Sequence, residues 1–119
     1  MKEIVLPINI GLSDDPGYPL WSEYMNNRGN AWLLSQQGIP VKVDTVDSYF
    51  VHIGLNSLDF VKIDVEGMEF NVLKGGLKTW NSFKPIIYFE TLEAMKEVSG
   101  RDIYHKTEMI LNEIGYNLY

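Results

Sequence analysis

The stretch that decides the fold reads FVKIDVEGMEFNVLKGG and covers residues 60 to 76. In its first half, three charged residues alternate with apolar ones, namely Lys62, Asp64 and Glu66. Period-two alternation is typical of a β-strand, because successive side chains point to opposite faces. Gly67 favours a tight turn, and the segment after it ends in two glycines that predict a helix end. The stretch therefore predicts a strand that ends in charged residues and turns directly into a helix.

The flanking sequence predicts an alternation of strands and helices, which is typical of an α/β fold with a mostly parallel sheet. A helix is expected to start at Thr45 or Asp47, since both residue types are good N-caps. The last helix carries one apolar stripe and ends before Gly115. The predicted strands cover 4–12, 18–24, 39–44, 58–65, 85–90 and 116–119. The last helix is predicted at 102–114, and a further helix is predicted at 67–74.

Composition limits the class of protein. The 119 residues suffice for one domain, and a hydrophobic content of 45% predicts a buried core. A net charge of −6 argues against nucleic acid and anionic membranes as partners. There is no cysteine, no secretion signal and no long apolar run, so we expect a cytoplasmic protein without disulfides. His52 and His105 lack metal-ligand spacing, and no metal is predicted.

The charged end of the central strand has two interpretations. In open α/β sheets, ligands bind beyond the carboxyl ends of the strands, where Asp64 and Glu66 would lie. Alternatively, the charges form one solvated face of the strand. Lys62 is expected to pair with a carboxylate, and Glu69, in the first helical turn, is expected to act through the helix dipole.

The stretch FVKIDVEGMEFNVLKGG, followed by KPIIYFE, resembles the FkbM family of S-adenosylmethionine-dependent methyltransferases. The segments INIGLSDDPG, VKVDTVDSYF and LNEIGYNLY resemble other parts of the same family in the same order. The resemblance implies a Rossmann-like, three-layer sandwich and S-adenosylmethionine as cofactor. It also implies methyl transfer to an oxygen of a small-molecule or sugar acceptor.

The resemblance assigns roles to four residues. Asp64 matches the acid at the end of the family's fourth strand, where a carboxylate can accept a proton from a substrate hydroxyl. Glu66 is its neighbour and the second expected catalytic residue, because a like charge nearby would raise the pKa of one of the two acids and so help a base. Capping of the next helix is its alternative role. Ser13 and Asp14 match the place where the third strand meets the adenine side of the cofactor, while Asp14 could instead start the turn before Pro16.

The chain departs from the family in lacking the glycine-rich loop and the ribose-binding acid that follow the family's first two strands. It therefore resembles the C-terminal part of the domain, without those strands, and the chain alone is expected to lack part of the methyltransferase site. The alternative functions are a non-catalytic α/β module that binds a partner, and a domain that binds another small anion at the DVEG turn. The unpaired edge of the 58–65 strand would be filled by the 4–12 strand, by a second copy in a homodimer or by another chain.

Overall fold

The computed structural model describes residues 4–17, 20–22, 39–65, 67–90 and 101–119. Within these ranges the chain forms six strands and four helices, which confirms the α/β class. The strands are β1 (Gly11–Leu12), β2 (Leu20–Ser22), β3 (Ile39–Val41), β4 (Val43–Asp44), β5 (Phe60–Ile63) and β6 (Ile86–Phe89). The helices are α1 (Val46–Ile53), α2 (Glu69–Lys74), α3 (Leu77–Phe83) and α4 (Arg101–Glu113).

The described strands form three separate pairs rather than the one sheet that was predicted. β1 pairs with β4 and β5 pairs with β6, both in parallel, whereas β2 and β3 are antiparallel. Of the three alternatives for the open edge of the 58–65 strand, pairing with the 4–12 strand is wrong, because β1 lies beside β4 instead. That strand is also shorter than predicted: residues 4–10 carry no strand, and Pro7 within them has no N–H to donate to a ladder.

The core lies where α2, α3 and α4 meet the inner face of β5 and β6. Its buried residues are Val46, Ile63, Val72, Leu73, Trp80 and Leu111. The Trp80 indole N–H donates a hydrogen bond of 2.8 Å to the carbonyl of Leu73, so the largest core side chain also has its polar atom satisfied. As predicted, α4 contributes one face, with Leu111 buried and Thr107 donating its hydroxyl to the carbonyl of Ile103.

The first turn of α1 fixes that helix to α3. Thr45 is the N-cap, which confirms one of the two predicted alternatives. Its hydroxyl accepts a hydrogen bond of 3.0 Å from the Ser48 N–H. Asp47 has a different role, because its carboxylate accepts bonds from the N–H groups of Lys78 and Thr79 and from the Thr79 hydroxyl. A carboxylate of α1 thereby satisfies free donors at the start of α3.

The C-terminal segment packs back onto the end of α3. Lys84 adopts the left-handed conformation, with φ of 50°, and its ammonium contacts the Ile114 carbonyl and lies over the Tyr116 ring. The Tyr116 hydroxyl donates to the Pro85 carbonyl at 2.8 Å. Tyr116 is therefore held by side-chain contacts, and the predicted final strand at 116–119 is not present. No helix in the described ranges is both long and apolar enough to cross a membrane.

Candidate functional site

Asp64 lies directly after β5, in an exposed loop. Its carboxylate is 3.7 Å from the ammonium of Lys62, which confirms the predicted pairing of that lysine with an acid. Both side chains are open to solvent, with exposed fractions of 60% for Lys62 and 45% for Asp64. Glu66, the second predicted catalytic residue, lies outside the described residues.

Glu69 holds this loop from inside. Its side chain is buried, with 7% exposure, and its two carboxylate oxygens accept hydrogen bonds from the N–H groups of Val65 and Gly67, at 3.2 and 2.9 Å. Gly67 has φ of 106°, a conformation that other residues rarely adopt. The sequence predicted a dipole role for Glu69, whereas the structure makes it the residue that closes the loop after Asp64. Its position two residues after the glycine is the only signal in the sequence for this role.

Ser13 and Asp14 follow β1 and form a hydrogen-bonded cluster with α2. Ser13 is fully buried and its hydroxyl donates to Asp14 Oδ1 at 3.1 Å. The same oxygen accepts a bond of 3.0 Å from the Asn71 amide, and Oδ2 is 3.2 Å from the Lys74 ammonium. The turn at this point belongs to Asp15, whose carboxylate accepts from the Gly17 N–H at 2.8 Å. The alternative role of Asp14 as the turn-starting residue is thus taken by its neighbour.

The partners of Asp14 change its acidity. The hydrogen bond from Asn71 holds the pKa of Asp14 below its ordinary value of 3.8, and Lys74 and Ser13 act in the same direction against the effect of burial. Because the folded pKa is the lower one, the resulting stabilisation is present above pH 3.8 and is lost as the pH falls through the folded value.

We therefore expect Asp14→Asn to lower the pH dependence of stability in this acidic range. The free energy of unfolding, measured by urea titration, should fall less steeply below pH 3.8 in the variant than in the unchanged protein. Asp15→Asn is the matched control, since it removes one charge from the adjacent exposed turn. Equal slopes for Asp14→Asn and the unchanged protein would show that the cluster does not act as described.

Asp64 and Asp14 share no partner among the described residues. Asp64 pairs with Lys62, while Asp14 binds Asn71 in the middle of α2 and Lys74 at its end. The Ser13 hydroxyl and the Asp14 carboxylate already have protein partners, so a cofactor would reach only the acceptor positions of Asp14 that these partners leave open.

A cleft of about 670 Å³ opens where β1 and β4 end and α1 and α3 begin. Asp14 and Thr45, which follow the two strands, both line it, in agreement with the usual position of ligands in α/β folds. The sequence did not predict the residues that α1 and α3 contribute, because their spatial proximity depends on the contact between Asp47 and Thr79. The lining includes Asp47, Ser48, Phe50, Val51, Leu55, Lys74, Lys78, Thr79, Ser82 and Phe83. In the described ranges no three acidic or histidine side chains are grouped as metal ligands would be.

Comparison with known proteins identifies the family. No curated protein and no solved structure matches the chain. The methyltransferase FkbM domain matches residues 13–118, which is most of the 119 residues. The match includes the loop after β5 and the whole wall of the cleft. This chain belongs to the FkbM methyltransferase family.

Proposed function

We propose that this domain catalyses methyl transfer to a hydroxyl oxygen of a small molecule or sugar. The observation that carries the proposal is the family match over residues 13–118, which spans the exposed carboxylate of Asp64 at the carboxyl end of β5. S-adenosylmethionine is the methyl donor that the family implies. The location at the end of a parallel strand agrees with the rule for ligand sites in α/β folds.

Asp64 acts as the general base in this proposal. When the acceptor oxygen bonds to the methyl carbon and the methyl carbon–sulfur bond breaks to leave S-adenosylhomocysteine, the hydroxyl proton would pass to the Asp64 carboxylate. The ion pair with Lys62 does not obstruct this role, because exposed ion pairs contribute only about 0–1 kcal/mol and are readily exchanged. Glu69 supports the role by fixing the backbone at Val65 and Gly67, on either side of Glu66.

The groups that hold the cofactor are proposed to come from outside residues 1–119, in the same polypeptide or in another. Two observations support this. The sequence contains no glycine-rich loop between a strand and a helix. The side chains that the resemblance assigns to the cofactor, Ser13 and Asp14, are occupied by one another and by α2.

We expect the isolated chain to bind S-adenosylmethionine weakly or not at all. Its sequence has neither the glycine-rich loop nor the acid that would bind the ribose hydroxyls of the cofactor. Isothermal titration of the purified monomer should give no saturable heat at micromolar cofactor concentrations. A second titration with S-adenosylhomocysteine, the product left after methyl transfer, tests whether the chain binds the product rather than the donor. A dissociation constant in the low micromolar range for either compound would contradict the expectation.

The proposed function is tested by a transfer assay that allows a partner to complete the site. The purified chain is added to an extract of the source cells with methyl-labelled S-adenosylmethionine, and label is counted in the small-molecule fraction. Label that rises in proportion to added chain supports the proposal. The proposal is contradicted if the label in the small-molecule fraction, sugars included, stays at the level of the extract alone.

A non-catalytic, partner-binding module is the second candidate function, and one surface favours it. Phe60, Ile86 and Tyr88 share the outer face of β5 and β6, with exposed fractions of 59%, 70% and 59%. Parallel sheets are usually covered on both faces, so this apolar face favours a covering partner, such as the second copy of a homodimer. A partner that binds this face without any label transfer would favour this candidate over the enzyme.

A further inference from the structure

The acidic side chains that line the cleft between α1 and α3 already accept hydrogen bonds or ion pairs from the protein. Asp47 accepts bonds of 3.2 and 2.8 Å from the N–H groups of Lys78 and Thr79 and one of 2.7 Å from the Thr79 hydroxyl. Asp14 is engaged by its own cluster and by the Lys74 ammonium at 3.2 Å. Each carboxylate thus already has three protein contacts for its roughly four acceptor positions, so little of its acceptor capacity remains for a cation.

The polar side chains that remain unengaged can all donate hydrogen bonds. The ammonium of Lys78 and the hydroxyls of Ser48 and Ser82 line the cleft, and none of them has a partner among the described residues. Lys78 and Ser82 are four residues apart on α3, which places them on one face of that helix. A lysine ammonium can only donate, so the group that complements it must be an acceptor.

The rest of the lining is apolar and the walls are held in place. Phe50, Val51, Leu55 and Phe83 contribute side chains from both sides of the cleft. The contact between Asp47 and Thr79 ties the first turns of α1 and α3 together, which fixes the separation of the walls at that end. A volume of about 670 Å³ falls within the range of pockets that bind small organic ligands.

We infer that this cleft binds a small molecule with an apolar body and an anionic oxygen group, either a carboxylate or a phosphate, which Lys78, Ser48 and Ser82 hold. The inference goes beyond the proposed function and does not rest on it, because Asp64 does not line the cleft. It uses the unengaged donors that line the cleft, in which both acids already bind protein donors. A neutral sugar fits less well, since it would leave the Lys78 ammonium without an opposite charge.

The test is a titration of the ¹⁵N-labelled chain by NMR with three compounds of one shape. The probes are 1-naphthoate, 1-naphthyl phosphate and the uncharged 1-naphthylmethanol. We expect at least one anion to shift the amides of Ser48, Leu55 and Ser82 and to bind about tenfold more tightly than the alcohol, as one charge-assisted contact would give. The tighter of the two anions identifies which oxygen group the cleft prefers.

A charge-neutralising variant then assigns the effect to one side chain. Lys78→Gln should weaken anion binding about tenfold and leave alcohol binding unchanged. Lys42→Gln is the matched control, since Lys42 is exposed and outside the lining. The inference is overturned if the alcohol binds as tightly as both anions, if no probe shifts the cleft amides, or if the two glutamine variants behave alike. The comparison among the three probes needs no variant, so a folding defect would not prevent the test.

Discussion

Gly75→Ala is expected to destabilise the domain by about 3 kcal/mol, the upper part of the usual range for overpacking. A Cβ atom at this position would lie 2.3 Å from the Ser13 carbonyl oxygen and 3.1 Å from the carbonyl carbon. Both are backbone atoms, so no side-chain rotation relieves the contact. The Gly75 carbonyl also accepts a 3.0 Å bond from the Asp47 N–H, so β1, α1 and α2 meet at this residue.

Urea unfolding is the measurement for this prediction, because domains of this size are stabilised by only about 5–15 kcal/mol in total. Gly17→Ala is the control, since its added carbon would meet the movable Asp15 carboxylate at 3.3 Å in an exposed turn. We expect the control to change stability by about 0.5 kcal/mol or less. If Gly75→Ala were as stable as Gly17→Ala, the close packing of β1 on the end of α2 would be wrong.

Features of the fold that depend only on residues close together in the sequence were predicted. The Thr45 cap, the strand at β5 and the amphipathic stripe of α4 each follow from a local pattern. Helix α3 was not predicted, because its seven residues carry no capping side chain of their own. Its first donors are satisfied by Asp47, which lies 31 and 32 residues earlier in the chain.

In the candidate site, too, contacts between residues close in sequence were predicted and long-range contacts were not. The pairing of Lys62 with an acid was predicted because Asp64 is two residues away on the same face of the strand. The position of Asp14 was not, since its contact with Asn71 joins residues 57 apart in sequence. That contact places Asp14 against the middle of α2. The partner of β1 was not predicted for the same reason, because it depends on tertiary packing.

Asp64→Asn should lower methyl transfer by about 100-fold or more, as expected when a general base is lost. The substitution keeps the shape of the side chain and removes its ability to accept the proton. The fold should survive, because the exposed pair with Lys62 contributes only about 0–1 kcal/mol to stability. Asp59→Asn removes an equal charge one residue before β5, from an exposed position, and serves as the control.

The rate of label transfer by these two variants, in the extract assay described above, tests the central claim most directly. The claim is that the loop after β5 supplies the proton-accepting group of a methyltransferase. The account predicts that Asp59→Asn transfers label at the rate of the unchanged chain, while Asp64→Asn loses about two orders of magnitude. Transfer by Asp64→Asn at the unchanged rate would contradict it.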